Sequence, residues 1–192
     1  MWNGNEFNLE SIQVVAPQYR YQAVQDADYA TLDGDYTRAM DLYQQVIFSD
    51  YLDWWSKEKA LQRSESNSLL IQGLITPTPL PVDTTERSIL SAYAYFRIIL
   101  LNILEGNQAE AENTYNTLVE QYEVGKPGYA FVEMASSFWN EYLSSHDIHQ
   151  ACSKAVEYAE ENQASTIQYL GSDYHGWQSH AYSPEDVCPF VK

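Results

Sequence analysis

The chain has 192 residues, enough for one domain with a sizeable core, and its 45% hydrophobic content is that of a globular protein. It carries 27 acidic and 10 basic residues, a formal net charge of −17. Such a surface repels phosphate backbones and anionic lipids, so we expect no nucleic-acid binding, whereas cationic or neutral partners are compatible with the charge.

The N-terminal residues, MWNGNEFNLE, lack the basic and apolar regions of a signal peptide. The chain is therefore either a cytoplasmic protein or the mature or trimmed part of an exported one. The composition favours the extracytoplasmic alternative, because the chain has five lysines, sixteen tyrosines and two cysteines that both come late in the sequence.

A helix–turn–helix pattern occupies residues 31–47, TLDGDYTRAMDLYQQVI. Gly34 suits a left-handed position that ends the first helix. The small side chain of Ala39 lets the second helix approach closely, and Tyr43, four residues later, lies on the same face of that helix. The same spacing recurs at Gly106, Ala111 and Tyr115, each 72 residues further on.

A third copy of the pattern lies at 143–159, where Ala151 keeps the alanine position and His146 replaces the glycine. Histidine is among the residues that enter the left-handed region at tolerable cost. The three copies resemble divergent tetratricopeptide repeats, a family of helical-repeat proteins. The resemblance covers about 20–49, 92–122 and 132–161. It implies a right-handed α-α superhelix of helix pairs, with protein binding as the usual role.

Helical periodicity extends along most of the chain, and no strand is predicted. We therefore predict an all-α single domain over 1–192 with about seven helices and an insertion at 52–82. Gly125 and Pro127 are expected to end one helix and begin the next. The predicted helices lie near 18–33, 36–49, 54–73, 84–105, 108–123, 128–144 and 147–162.

The most apolar stretch is 89–104, ILSAYAYFRIILLNIL, which is 16 residues long and contains Arg97. A bilayer requires roughly 20 residues, so we predict no direct membrane insertion. A helix that is apolar nearly all round must be buried. In the resembling family the first helices line a concave groove, in which Tyr93 and Phe96 would lie. We expect the chain itself, for example its C-terminal tail, to cover this face; a bound partner is the alternative.

The sequence contains no nucleotide-binding, serine-hydrolase or zinc-protease motif. Nothing selects a catalytic pair among the 27 acidic residues. His146 and His149 could contact one metal ion but lack a well-placed fourth ligand, and the acidic stretch 26–35 lacks the ligand spacing of a calcium loop. We therefore predict a protein that is not an enzyme, with no catalytic residue, metal or cofactor.

The two cysteines, Cys152 and Cys188, lack an obvious activating partner for catalysis. A disulfide between them would close a loop of about 35 residues and contribute about 4 kcal/mol to stability. It would attach the tail to the last helix pair and place the protein outside the cytoplasm. Two free thiols in a reducing compartment are the alternative.

The tail, 171–192, is too aromatic for a solvated end, so we expect it to be ordered against the helices. Its sequence SPED is a helix-start signal, with Ser183 as the cap and Pro184 at the first position. Tyr174 and Trp177 would anchor the tail or, alternatively, form an exposed binding surface.

The resemblance implies a non-catalytic scaffold or interaction module that binds a protein or peptide partner, alone or as part of a larger protein or assembly. The acidic balance predicts a basic or neutral partner segment. The alternative is an extracytoplasmic glycan-binding module that uses surface Trp and Tyr side chains. By the geometry of the resembling family, the candidate contact residues are Tyr21, Asp28, Thr31, Glu133, Asn140 and Ser144. Tyr93 and Phe96 join them if the middle groove is open, and the tail adds Tyr174 and Trp177.

Overall fold

The structure is a computed structural model and describes residues 16–54, 84–172 and 182–190. Within these ranges the fold is all-α, as predicted, and the extended segments form an isolated bridge but no strand. The α-helices are α1 (Arg20–Leu32), α2 (Tyr36–Phe48), α3 (Thr84–Leu104), α4 (Gln108–Gln121), α5 (Tyr129–Ser145) and α6 (Ile148–Glu161). The end of each helix lies within two residues of its prediction. The helix predicted at 54–73 falls outside the described residues, apart from Trp54.

The helices pack as adjacent pairs: α1 with α2, α3 with α4, and α5 with α6. Helix α3 also contacts α1, α2 and α5. It is therefore the central helix, and the other pairs bury its faces. Short helical turns follow at Gln163–Ser165, Gln168–Ser172 and Pro184–Val187.

The turns within the first two pairs share one conformation. Gly34 and Gly106 lie in the left-handed region, at φ 77° and 78°. The amides of Gly34 and Asp35 return to carbonyls of the last turn of α1, at 3.2 and 2.9 Å, and Gly106 and Asn107 repeat both bonds after α3. These are the two bonds of a Schellman motif. His146 takes the left-handed position in the third turn, at φ 56°, as predicted.

Helix α3 forms the core, since every residue from 89 to 103 is buried. Arg97, in the middle of this run, is 1% exposed. Among the described helices, α3 is long and apolar enough to cross a membrane, with 21 residues, but 78% of its apolar window is buried inside this chain. The helix thus matches the predicted range 84–105 and extends beyond the apolar run 89–104 at its N-terminal end, and its burial is that of a core helix.

The link between α4 and α5 differs from the prediction. Pro127 precedes α5 instead of beginning it, and the residue that caps the helix is Gly128, at φ 94°. A Cβ atom on Gly128 would lie 2.8 Å from the ring of Tyr122 and 3.0 Å from the Cβ of Ala92. The close approach of this link to α3 therefore requires glycine at the start of α5.

We expect Ala39→Leu to lower the free energy of unfolding by about 1–3 kcal/mol, because it overpacks the contact between α2 and α1. Ala39 has no exposed surface. Urea denaturation measures the change. Gln44→Leu, at an exposed position of the same helix, is the control and is expected to stay within about 0.5 kcal/mol of the wild type. Equal losses in the two variants would contradict close packing at Ala39.

Candidate functional site

Helix α1 directs the carboxylate of Asp28 towards the interior. Val24, Ala27 and Thr31 form the buried face of this helix, and Asp28 lies between them at helical spacing. The alanine and the threonine are small enough for α2 and α3 to come close. Side chains from both helices therefore reach Asp28, whose own side chain is 13% exposed.

Three tyrosine hydroxyls and one guanidinium surround Asp28. Tyr43 of α2 donates to Oδ1, and the hydroxyl of Tyr93 on α3 lies 3.1 Å from both carboxylate oxygens. Tyr182, far along the chain, donates to Oδ2. Arg97 of α3 places Nε 3.5 Å from Oδ1, and its guanidinium carbon lies 5.8 Å from the centres of the first two tyrosine rings. We call these five residues the Asp28 cluster.

Burial and the nearby charges shift the pKa values in this cluster in opposite directions. Burial raises the pKa of Asp28, and the charge of Arg97 together with the tyrosine hydrogen bonds opposes that rise. Burial also raises the pKa of Tyr43, Tyr93 and Tyr182 well above the ordinary value, so the hydroxyls remain donors. Burial lowers the pKa of Arg97, but the nearby tyrosine and carboxylate oxygens raise it by more, and the guanidinium stays protonated. The net effect on Asp28 is a raised pKa, and the cluster is a buried carboxylate–guanidinium pair in which both carboxylate oxygens accept hydrogen bonds.

Residues 182–190, which we call the C-terminal turn, pack beside the cluster. The turn begins with the predicted helix start SPED, in which the amide of Ser183 donates to Oδ2 of Asp186 at 2.7 Å. Nη1 of Arg97 donates to the main-chain carbonyls of Asp186 and Val187, at 2.8 and 3.1 Å. The guanidinium therefore joins α3 to the backbone of the turn.

Two further contacts attach the C-terminal turn to α6. Cys188 forms a disulfide with Cys152, the first of the two alternatives that the sequence left open, and neither cysteine is exposed. Nδ1 of His149 contacts the carbonyl of Phe190. The turn thus bridges α3 and α6, and the structure confirms that the chain itself covers this part of α3.

A shallow cleft opens between α1 and the C-terminal turn. Asp28 lines it, Tyr29 and Leu32 stand at its rim with 50% and 61% of their surfaces exposed, and Pro189 belongs to the opposite side. The space open to water is about 20 Å³, room for roughly one water molecule. A ligand would therefore contact the rim and not enter the cleft. We call this opening the α1 cleft.

The structure brings five of the predicted contact residues to the inner side of the helices. Tyr93 and Phe96 have no exposed surface, and Tyr21 and Thr31 are 6% and 2% exposed. Asp28 borders the α1 cleft. Four of the five therefore contact this chain instead of solvent, and a partner does not reach them in this arrangement.

The remaining predicted contact residues do not join this group. Glu133, Asn140 and Ser144 are exposed on α5. Glu133 accepts a hydrogen bond from the hydroxyl of Tyr158 at 2.6 Å, so it also links α5 to α6. Tyr174 and Trp177 lie outside the described residues.

The described residues contain no group of three side chains placed to hold a metal ion. The ring of His146 stacks near Tyr142, with centroids 6.4 Å apart, and His149 contacts the C-terminal turn. Both histidines of the HDIH sequence thus have protein groups beside them.

Sequence reasoning did not place Arg97, Tyr43 and Tyr182 in one polar cluster. A signal was present in Arg97, a charge within an otherwise apolar run, because a buried charge needs a partner. The sequence did not say which acid or which carbonyl would supply that partner.

No model of a known protein family matches the chain, and neither does any curated protein or solved structure. The resemblance to tetratricopeptide repeats therefore rests on the spacing of Gly34, Ala39 and Tyr43 and on its recurrence. A function for the Asp28 cluster or the α1 cleft therefore has to be inferred from the contacts of these residues.

Proposed function

We propose that the protein is a non-catalytic interaction module, built from divergent tetratricopeptide-like helix pairs, that binds a protein or peptide partner on its helical surface. The observation that carries the proposal is the α1 cleft, where Tyr29 and Leu32 expose apolar surface beside the carboxylate of Asp28. Apolar side chains with polar groups around them are typical of protein contact sites. The small volume of the cleft favours a partner's side chain at the rim over an enclosed small molecule.

The charge of the chain favours a basic or neutral partner segment. The formal net charge is −17, and Asp33 and Asp35 are exposed at the end of α1, next to the rim. Arg97 adds little positive charge outside, because it is buried against Asp28. A lysine or arginine of the partner would gain from this field, and salt would weaken binding, since the screening length is about 8 Å at physiological ionic strength.

The Cys152–Cys188 disulfide supports a location outside the cytoplasm, as disulfides persist in oxidising compartments. The bond also fixes the C-terminal turn, which supplies Pro189 to the α1 cleft. The proposed binding surface is therefore held rigid in such a compartment.

The alternative function, glycan binding by surface Trp and Tyr side chains, has exposed tyrosines at Tyr29 and Tyr51, with 50% and 64% of their surfaces exposed, but no support from the described tryptophans. Stacking on a sugar requires an exposed aromatic face. Trp139 is 5% exposed and stacks on Tyr115 with centroids 5.3 Å apart, and Trp54 is half-buried. The other tryptophans lie outside the described residues: Trp2, Trp55 and Trp177.

Leu32→Lys is expected to weaken partner binding about tenfold or more, because it removes apolar surface from the rim and repels a basic segment. Synthetic peptides of graded net charge are first screened on the full chain, and those that bind are titrated at low and high salt. Val124→Lys is the matched control, since Val124 is 77% exposed in the link between α4 and α5. Equal losses in the two variants would contradict the assignment. Binding that free sugars abolish and salt does not would favour the glycan alternative.

A further inference from the structure

The C-terminal turn is held partly through its main chain. Arg97 binds the carbonyls of Asp186 and Val187, and His149 contacts the carbonyl of Phe190. Main-chain hydrogen bonds depend little on the side chains of the segment that makes them. The same donors would therefore hold another segment that follows the same course.

One side chain of the turn adds a specific contact. The hydroxyl of Tyr182 donates to Oδ2 of Asp28, and the tyrosine is 6% exposed. The carbonyls that Arg97 binds come four and five residues later in the chain. Asp28 and Arg97 thus recognise one hydroxyl and two main-chain oxygens of the turn, at a fixed spacing along the chain.

The groups that recognise the turn also contact one another. Asp28, Tyr43, Tyr93 and Arg97 belong to α1, α2 and α3 and contact one another directly. If the turn left, the Arg97 Nη1 and Asp28 Oδ2 atoms that it now binds would open towards the side from which it departed. Asp28 and Arg97 therefore suit a surface that a peptide segment can bind and leave.

We propose that the Asp28–Arg97 pair is a peptide-binding site that the chain fills with its own C-terminal turn, and that takes a partner's segment once the disulfide to α6 is open. The ligand is a peptide that offers an aromatic hydroxyl to Asp28 and, four and five residues later, two carbonyls to Arg97. Asp28 and Arg97 also line the inner wall of the α1 cleft, but the site differs from the rim at Tyr29 and Leu32, because the closed turn occupies it. Peptide binding at the Asp28–Arg97 pair does not depend on partner binding at that rim.

Opening the disulfide requires a dithiol reductant. The dithiol gives up two electrons and two protons, becomes a disulfide itself and leaves Cys152 and Cys188 as thiols. Because neither cysteine is exposed, the dithiol reacts only after the turn lifts locally. In the oxidised chain the bond returns the turn to the site after each local opening, because Cys188 stays tethered to α6.

The test uses the full chain and a fluorescent peptide with the sequence of residues 182–190, in which serine replaces Cys188. The receptor carries Tyr182→Phe and Cys188→Ser, because the tethered turn would otherwise outcompete the peptide through its high effective concentration. A second peptide, with phenylalanine in place of Tyr182, is the matched control. Fluorescence anisotropy measures binding, and circular dichroism checks that the receptor is folded.

We expect no binding to the oxidised wild type, saturable binding to the variant, and about tenfold tighter binding of the tyrosine peptide than of the phenylalanine peptide. If the double variant does not fold, Cys188→Ser alone is titrated to higher peptide concentration with the same expectations. A folded receptor that binds neither peptide, or binds both equally, overturns the proposal, and so does equal binding to the oxidised wild type. Such a failure, with Leu32-dependent binding intact, would leave the α1 cleft assignment standing.

Discussion

Replacing Arg97 with methionine is expected to lower the free energy of unfolding by about 3–5 kcal/mol, the cost of leaving one charge of a buried pair alone. Arg97 is 1% exposed, donates to two carbonyls of the C-terminal turn and lies 3.5 Å from Asp28. Methionine retains an unbranched apolar chain that fills irregular space, so the lost charge dominates the change. Urea denaturation followed by circular dichroism measures the difference.

The matched control is Arg87→Met, which makes the same substitution in an exposed pair. Arg87 lies 2.8 Å from Asp50, and the two side chains are 46% and 88% exposed. Exposed pairs of this kind contribute about 0–1 kcal/mol. If both substitutions lowered the free energy of unfolding by similar amounts, the large effect at Arg97 would not be due to the burial of its charge.

The coupling between the two charges is tested by adding Asp28→Asn to the chain that carries Arg97→Met. We expect the second substitution to recover part of the loss, because no unpaired charge then remains in the interior. The tyrosine hydroxyls can still donate to the oxygen of asparagine. Additive losses would show instead that the aspartate and the arginine act independently.

The parts of the fold that could be predicted are those that residues close together in the sequence determine. The left-handed turns depend on Gly34, Gly106 and His146 together with the few residues whose carbonyls they meet. The small side chain of Ala39 determines a helix contact through size alone. Gly128 was missed because its constraint is a close approach to Ala92 of α3, which no local pattern contains.

The candidate site could not be predicted because its members are far apart in the chain. Tyr182 lies 154 residues from Asp28, and the carbonyl of Val187 lies 90 residues from Arg97. A main-chain carbonyl has no sequence signal, and 27 acidic residues do not indicate which one meets a given arginine. The groove of the resembling family did point to Asp28, but as a contact for a partner and not as the partner of Arg97.

Loss of the disulfide is expected to lower the free energy of unfolding by a similar amount. Cys152 and Cys188 are 36 residues apart, and closing a loop of this length contributes about 4 kcal/mol in the chain-entropy model. Cys188→Ala is compared with the wild type by urea denaturation under oxidising conditions. Alanine is preferred to serine for this measurement, because the site is fully buried and a hydroxyl there would add a desolvation cost.

The double variant Cys152→Ala/Cys188→Ala separates the cross-link from the packing of the two sulfur atoms. Either single substitution breaks the same bond, so we expect the double variant to lie within about 0.5 kcal/mol of Cys188→Ala. Losses that add would mean that the buried side chains, and not the loop they close, provide the stability. In that case the turn would be held by Arg97 and by packing even without the bond, and opening the disulfide would not free the Asp28–Arg97 site for another segment.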